Sequence, residues 1–429
     1  MKKTLSLLIT LLLTTATFAY EAQIDGIYYD FDHDKQTAIV SHDIFAYEEG
    51  DSLGSYSYTQ TEIIIPEVIS YDGKEYQVTT IGEHAFYYAQ ALKNVSLPKT
   101  INKIDKYAFY GCSSLEQIII DENNPTLKSI DNILYDKEIT KLLVCPATKT
   151  EVIIPNSVTK IGEGAFYHCT NLSEITIPNS VTYIELDAFT GCHSLTSVVI
   201  PNSVTRIGSY AFAGCRSLES VEIPSSITKI EWGTFLLCKS LRSVKLPNSI
   251  TEIGMSAFED CHALSSIVIP QSVQKIEARA FAKCTVLKEI TCLNTTPPEA
   301  INILADYETC TLIVPNGSLN DYKNHEEWGK FSNIQENPET NYKPIIDNTQ
   351  NNIFYDTKNH LLTFDIENPT SINIYDTTGK MIVNKTITTN TKQLSINLNS
   401  GIYIVTITTK TQQLNRNKII IKYNDYEKT

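Results

Sequence analysis

IPNSVTKIGEGAFYHCTNLSEIT, residues 154–176, recurs along this chain at a fixed spacing, and that spacing decides the fold. Prolines fall at 155, 178, 201, 224, 247 and 270, each 23 residues after the last, and Pro98 opens an earlier copy. A period in the twenties means one supersecondary unit per copy, each burying its apolar face only against its neighbours. Such a chain builds extended surface more readily than a pocket for chemistry.

With each copy numbered from its proline as position 1, Ile fills position 7 in all eight copies, from Ile81 to Ile276. Phe fills position 12: Phe86, Phe109, Phe166, Phe189, Phe212, Phe235, Phe258 and Phe281. Leu fills position 18 from Leu92 to Leu287, and position 11 is Ala in seven copies and Thr234 in the other. Like residues stack on like. Positions 18 to 23, Leu-x-x-Ile-x-Ile as in 172–177, have the period of a strand, which the following proline ends because it has no N–H for the ladder. Val-Thr-x-Ile at positions 4 to 7 predicts a second strand on the opposed side, with Thr at position 5 as a polar ladder. The stretch from position 8 to the cysteine at 15 is expected to turn the corner as one short helical turn, with Ala small so that Phe can cross the core. The fold class is therefore mostly β: a leucine-rich-repeat-type solenoid of 23-residue repeats. The period fails between Ile120 and Pro155, where two apolar runs flank Asp136-Lys137-Glu138; this predicts a hairpin-like irregular repeat bulging from the solenoid.

The chain has 429 residues, 42% of them hydrophobic, and a formal net charge of −14. An acidic chain without a basic stripe is a poor partner for nucleic acid or anionic membrane. Lys2-Lys3, an apolar core from Leu5 to Leu13 and a small-residue end read as a secretory signal peptide over 1–19, cut between Ala19 and Tyr20. No other segment approaches the roughly 20 apolar residues of a transmembrane helix. After residue 335 the composition shifts: 336–352 reads as a linker, and the alternating apolar runs of 353–429 as a small antiparallel β-sandwich. The expected division is signal peptide 1–19, N-terminal cap 20–74, solenoid 75–335 with irregular insert 121–154, linker 336–352 and C-terminal sandwich 353–429.

The repeat pattern IPxSVTxIGxxAFxxCxxLxxV resembles the BspA-type leucine-rich repeats of bacterial surface proteins. The insert sequences NNPTLKSIDNILYDKE (123–138) and CPATKTEVIIP (145–155), the entry IDGIYYDFDHDKQTAIV (24–40) and the closing LIVPNGSLNDYKNHEEWGKF (312–331) are similar to units of that family. The resemblance implies exposure at the cell surface and, for some members, adhesion. INIYDTTGKMIV (372–383), LNSGIYIVTI (398–407) and NKIIIK (417–422) resemble the type A C-terminal sorting domain of Bacteroidota type IX secretion. That resemblance implies passage through the outer membrane, contact with the secretion machinery, and release or surface attachment, although residues 423–429 extend past the usual end.

Seven of the ten cysteines occupy position 15, where parallel stacking holds neighbours about 4.8 Å apart, beyond the Cβ separation of a disulfide. A buried thiol ladder is expected, and only Cys292 and Cys310, which stand off the ladder, form a candidate disulfide pair. Parallel ligands cannot converge tetrahedrally on a metal. Asp30-x-Asp32-x-Asp34 opens like a calcium loop, but Lys35 and Ser41 stand where Gly and Glu are needed, so a charged hairpin turn is the better reading. His168, His193 and His262 are expected to be exposed at the corner. Position 6 is basic in five copies (Lys103, Lys160, Arg206, Lys229, Lys275), with acids at position 8 to neutralise it. Gly-x-Ser-x-Gly, His-Glu-x-x-His and P-loop motifs are all missing, so no enzyme and no cofactor or metal are expected.

Function is therefore expected on the surface. Strand positions 20 and 22 face outward and vary while the core does not. The candidate partner-binding face comprises Gln117, Glu174, Thr176, Ser197, Ser220, Glu222, Ser243, Lys245, Ser266, Glu289 and Thr291. The expected partner is an extracellular protein or glycan, bound at the cell surface by a monomer without catalysis. A passive surface coat is the alternative, and an accessory to a polymer-degrading enzyme a more distant one.

Overall fold

The computed structural model describes residues 20–42, 58–304 and 306–337, and then 353–356, 361–364, 369–375, 381–387, 393–396, 401–409 and 414–421. Residues 1–19, expected to be a signal peptide, most of the expected linker and residues 423–429 lie outside the described residues. Two compact units divide the chain, Met1–Leu172 with Asp187–Cys192, and Ser173–Leu186 with His193–Thr429.

In the first unit, an antiparallel run of Ala22–Ile24, Ile27–Asp32 and Thr37–Ser41 continues in parallel to Lys74–Ile81, which pairs in parallel with Lys103–Ile104. The turn between the second and third strands is closed by Asp32, whose carboxylate accepts from Lys35 N (3.0 Å) and Lys35 Nζ (2.6 Å), so the acidic cluster is a hairpin turn. The outward face is a separate parallel sheet, Glu62–Ile64, Asn94–Leu97 and Gln117–Ile120. It begins within the segment read as cap, because Glu62-Ile63-Ile64-Ile65-Pro66 has the same alternation as a regular strand.

The insert differs from the expected hairpin. It is a three-stranded meander, Leu127–Ile130, Ile133–Asp136 and Lys141–Val144, and its last strand joins Lys160–Ile161 in parallel. Lys141–Val144 thus serves as a rung of the solenoid instead of bulging from it. Asn124, fully buried, holds the entry to the meander: its amide donates to Pro98 O and Ile101 O (3.2 and 2.7 Å). Its side-chain oxygen accepts from Thr126 N and Leu127 N (2.9 and 2.8 Å).

In the second unit, Ser220–Glu222 pairs with Ser243–Lys245, and Ser266–Ile269, Glu289–Cys292, Thr311–Pro315 and Asn333–Asn337 follow as one parallel sheet. The opposed strands are two residues long, from Tyr183–Ile184 to Lys275–Ile276, and also parallel. Thr205 Oγ1 and Thr251 Oγ1 each donate to the carbonyl of the threonine one repeat back, Thr182 O (3.2 Å) and Thr228 O (3.1 Å). Helix Leu319–Asn324 and a short turn bring Trp328 over the end of the core, its indole N–H on Pro298 O at 2.8 Å. The C-terminal strands form two antiparallel sheets, one of three strands and one of four.

The core is a stack of like residues. Phe235 lies 5.6 Å from Phe212 and 5.5 Å from Phe258, with ring planes within 5° of parallel. These phenylalanines are fully buried, each contributing about 1.5–3 kcal/mol of apolar transfer. The corner beside them contains no helix, contrary to expectation. In each copy positions 10 and 14 have positive φ, as in Tyr107 (57°) and Gly111 (73°), or Ser256 (53°) and Asp260 (61°). The left-handed residues turn alternate N–H groups along the stack rather than into their own turn. Phe166 N and His168 N donate to Ala188 O and Thr190 O, and Phe235 N and Leu237 N to Ala257 O and Glu259 O, all at 2.8–2.9 Å. A left-handed conformation costs a side-chain-bearing residue about 1–2 kcal/mol, which the inter-repeat bonds offset.

Candidate functional site

Along each outward strand, alternation buries positions 18, 21 and 23 and exposes 20 and 22, as at Glu174, Thr176, Ser197, Ser220 and Glu222. Gln117, Ser243, Ser266 and Glu289 are likewise exposed, whereas Lys245 and Thr291 are half-buried. In-register pairing places each predicted residue beside its equivalent: Ser197 by Ser220, Ser220 by Ser243, Glu222 by Lys245 and Ser266 by Glu289. Glu222 and Lys245 form an ion pair at 2.9 Å.

Sequence reasoning missed part of both rows. Glu151 and Ile153 hold positions 20 and 22 at the end of the insert, and Glu62 and Ile64 extend the rows toward the N-terminus. The signal was available in EIIIP (62–66) and EVIIP (151–155), which alternate like EITIP (174–178). These additions change the chemistry of the face. Position 22 carries large exposed apolar side chains: Ile64, Ile119 and Ile153 (91% exposed) in the first unit, Val199 (77% exposed) and Val268 in the second. Position 22 thus mixes these apolar side chains with Ser96, Thr176, Glu222, Lys245 and Thr291.

Three of the five basic residues at position 6 are neutralised in place. Lys229 pairs with Glu252 at 3.1 Å, Lys275 with Glu277 at 2.9 Å and Lys103 with Asp105 at 2.7 Å. The histidines are half-buried rather than exposed, because the corner packs side chain on side chain. His168 stacks on Tyr167 (4.6 Å, 3°), and burial, with Arg216 nearby, lowers the pKa of His193.

All ten cysteines are buried free thiols, Cys292 and Cys310 included. Cys292 Sγ accepts from Tyr322 OH at 3.1 Å. The ladder thiols are more than small fillers. Cys112, Cys192, Cys238, Cys261 and Cys284 each donate S–H to the carbonyl of the phenylalanine one copy back, at 3.0–3.3 Å. Burial pushes the Cys112 and Cys284 thiols up to about 12.

A concavity lies where the insert rung meets the regular ones. Leu142 pairs with Ile161, which puts it at position 7, and Cys145 N donates to Ala165 O (2.7 Å), the bond that a position-12 phenylalanine makes elsewhere. Only Leu143 and Val144 lie between them, where a regular corner has four residues. The corner therefore stops short, and Cys145 takes the place of a phenylalanine in the stack. Phe109, next to this rung, is the one position-12 ring with measurable exposure, 9% against 0% for the other seven. A notch of about 140 Å³ results, with Phe109, Leu143 and Cys145 inside and Tyr107, Tyr110 and Tyr167 around it. Tyr110 and Tyr167 close over its outer side, ring centroids 3.9 Å apart and hydroxyls hydrogen-bonded. Tyr107 OH donates to Asp187 Oδ2 at 2.7 Å.

The stacked core, the two kinds of strand and the in-register corners coincide with one repeat family: the BspA type leucine rich repeat region matches residues 52–148, 137–265, 205–308 and 251–379. The chain is a BspA-type leucine-rich repeat protein. Its residues 357–422 match the secretion system C-terminal sorting domain. This BspA-type protein is accordingly exported by type IX secretion to the cell surface or the exterior, and its sorting domain interacts with the secretion machinery. No helix among the described residues is long and apolar enough to cross a membrane.

Similar solved structures include a leucine-rich repeat protein from Eubacterium ventriosum, with 32% identity over 48% of this chain and a TM-score of 0.42. The chain spans 62% of the length of that protein. A leucine-rich repeat protein from Bacteroides ovatus is 23% identical over 74% of this chain and 77% of its own, with a TM-score of 0.43. The pneumococcal vaccine antigen PcpA is 16% identical over 74% of this chain and 99% of its own, with a TM-score of 0.40. No curated protein matches the chain.

Proposed function

We propose that this surface protein is a non-catalytic binding scaffold whose outward strand face contacts an extracellular protein. The observation that supports this reading is the recurrence of exposed apolar side chains at position 22, Ile64, Ile119 and Ile153 in the first unit and Val199 and Val268 in the second, beside glutamate, glutamine and serine at position 20. Exposed apolar residues repeated at one strand position are costly to leave in water and match the mixed apolar and polar surface of a protein partner. The side chains are short or stiff, so little rotamer entropy is lost on contact. A glycan would be better served by aromatic rings, and the predicted face has none.

Saturable binding of the full chain to immobilised matrix proteins or mucin tests the reading. Val199→Asp with Val268→Asp should weaken that binding at least about tenfold, since two exposed apolar contacts are replaced by charge. Glu222→Lys with Lys245→Glu preserves the mutual ion pair, so it should weaken binding without changing the melt. Binding insensitive to both pairs refutes the strand face, and no saturable binding at all supports a passive coat.

A further inference from the structure

We propose that a pocket beside the first outward strand takes an arginine side chain from the protein that the strand face binds. The partner comes from the strand-face reading, on which the proposal rests, whereas the pocket has its own residues in the first unit. Its volume is about 190 Å³, room for one long side chain, since about 150 Å³ already accepts a benzene ring. Ile24 and Ile27 line it from the first hairpin, and Ile63, Ile64 and Pro66 from the outward strand and its end. Glu62 and Ile64, the first members of the position-20 and position-22 rows, both belong to the lining, so pocket and face are continuous.

The hairpin places the polar groups. Ile24 pairs with Ile27, which leaves Asp25-Gly26 as a two-residue turn with φ of 52° and 79°, the left-handed pair that Asp-Gly favours. Gln60 fastens that turn to the chain entering the outward strand: its side-chain amide donates to Gly26 O at 3.3 Å. Asp25 and Glu62 thus both line the pocket while exposed to solvent, and neither has an ion-pair partner among the described residues. Tyr29, only 1% exposed, lines the same pocket, and its hydroxyl has no hydrogen-bond partner among the described residues. Burial, and then the charge of Asp25, raises the Tyr29 pKa above its ordinary 10.0, so the phenol stays neutral near that carboxylate.

These unmet groups choose the occupant. An aliphatic or aromatic side chain would fit the isoleucines but leave the Tyr29 hydroxyl and both carboxylates desolvated without partners. An acidic side chain would meet two like charges. An arginine lays its methylene stem along the isoleucines and offers its guanidinium N–H groups to the carboxylates and the phenol oxygen. Lysine carries the same charge on a more strongly hydrated group with fewer donors, so arginine is preferred. The formal net charge of −14 favours the approach of a basic segment.

The test is saturation-transfer NMR and titration on the full chain with four probes, the N-acetyl methylamides of arginine, lysine, leucine and glutamate. The arginine probe should bind with a Kd of about 1–10 mM, at least about threefold more tightly than the others. Asp25→Asn keeps a residue that tolerates left-handed backbone, and Glu62→Gln keeps the side chain's size; each should weaken arginine binding about fivefold and leave the melting temperature unchanged. Tyr29→Phe removes a hydroxyl that bonds to nothing in the free protein, so it should weaken binding without lowering the melt. Val199→Asp with Val268→Asp should leave arginine binding intact. The proposal is overturned if arginine does not bind, if leucine binds as tightly, or if arginine binding survives both Asp25→Asn and Glu62→Gln. Arginine binding without any saturable protein partner would sink the strand-face reading and leave the pocket standing. Partner binding that needs Val199 and Val268, with no arginine binding, would sink the pocket alone.

Discussion

Raising the pH from 8 to 9.5 should destabilise this protein through its thiols, with no contact being cut. Burial pushes Cys112 and Cys284 up to about 12 and Cys292 up to about 11, from an ordinary value of 9.0. A thiol is neutral when protonated, so the unfolded chain releases protons in a range where the folded one keeps them. The stability is present in full below the unfolded pKa and drains away as the pH climbs through it and on toward the folded value. At pH 9 an unfolded thiol is half ionised, so each buried thiol costs about 0.7 kcal/mol per pH unit, half of the limiting 1.36. Between pH 8 and 9.5 the integrated loss is about 0.8 kcal/mol per thiol, or about 2 kcal/mol for these three, against a typical domain stability of 5–15 kcal/mol. Cys145, Cys238 and Cys261 are shifted in the same direction and add to the loss. The assay is urea unfolding of the full chain under reductant and argon, from pH 8 to 9.5. The buried tyrosines, whose ordinary value is 10.0, act in the same sense and begin to add to the loss at the upper end of that window. Cys112→Ala, the residue found at the equivalent Ala89, should make the slope shallower by about 0.7 kcal/mol per pH unit at pH 9. A stability constant across this range, or a slope that Cys112→Ala leaves unchanged, refutes the buried-thiol account.

Further outcomes are expected. Phe258, stacked between Phe235 (5.5 Å) and Phe281 (5.7 Å), should cost roughly 3–5 kcal/mol on replacement by alanine, read as a lower melting temperature; an unchanged melt would mean the repeats are out of register. Asn124→Ala leaves buried backbone groups at Pro98, Ile101, Thr126 and Leu127 short of a partner, and should cost about 3 kcal/mol or more by urea titration. A loss under about 1 kcal/mol would mean water replaces the side chain. Deleting residues 357–422 should leave the repeats folded but held inside the outer membrane; a truncated chain that still reached surface antibodies in a type IX-competent cell would contradict the sorting assignment.

Much of this molecule was determined by the sequence alone. Ile at position 7, Phe at 12 and Leu at 18 can be read without coordinates because stacking demands the same shape in the same slot, and a misfit is felt by both neighbours. The outward rows follow from strand alternation, which is local. Other features had no local signal. Non-glycine residues such as Tyr210, Ser256 and Arg279 hold left-handed conformations at position 10 because their N–H groups find carbonyls in the next repeat, more than 20 residues away. Only tertiary structure assigned Cys145 to the phenylalanine slot, since the insert has its own length and its register appears only in hydrogen bonds to Ala165 and Ile161. The notch depends on the same fact. A periodic chain states its regular contacts once per repeat, whereas the consequence of a short rung is set by what the rungs on either side leave uncovered.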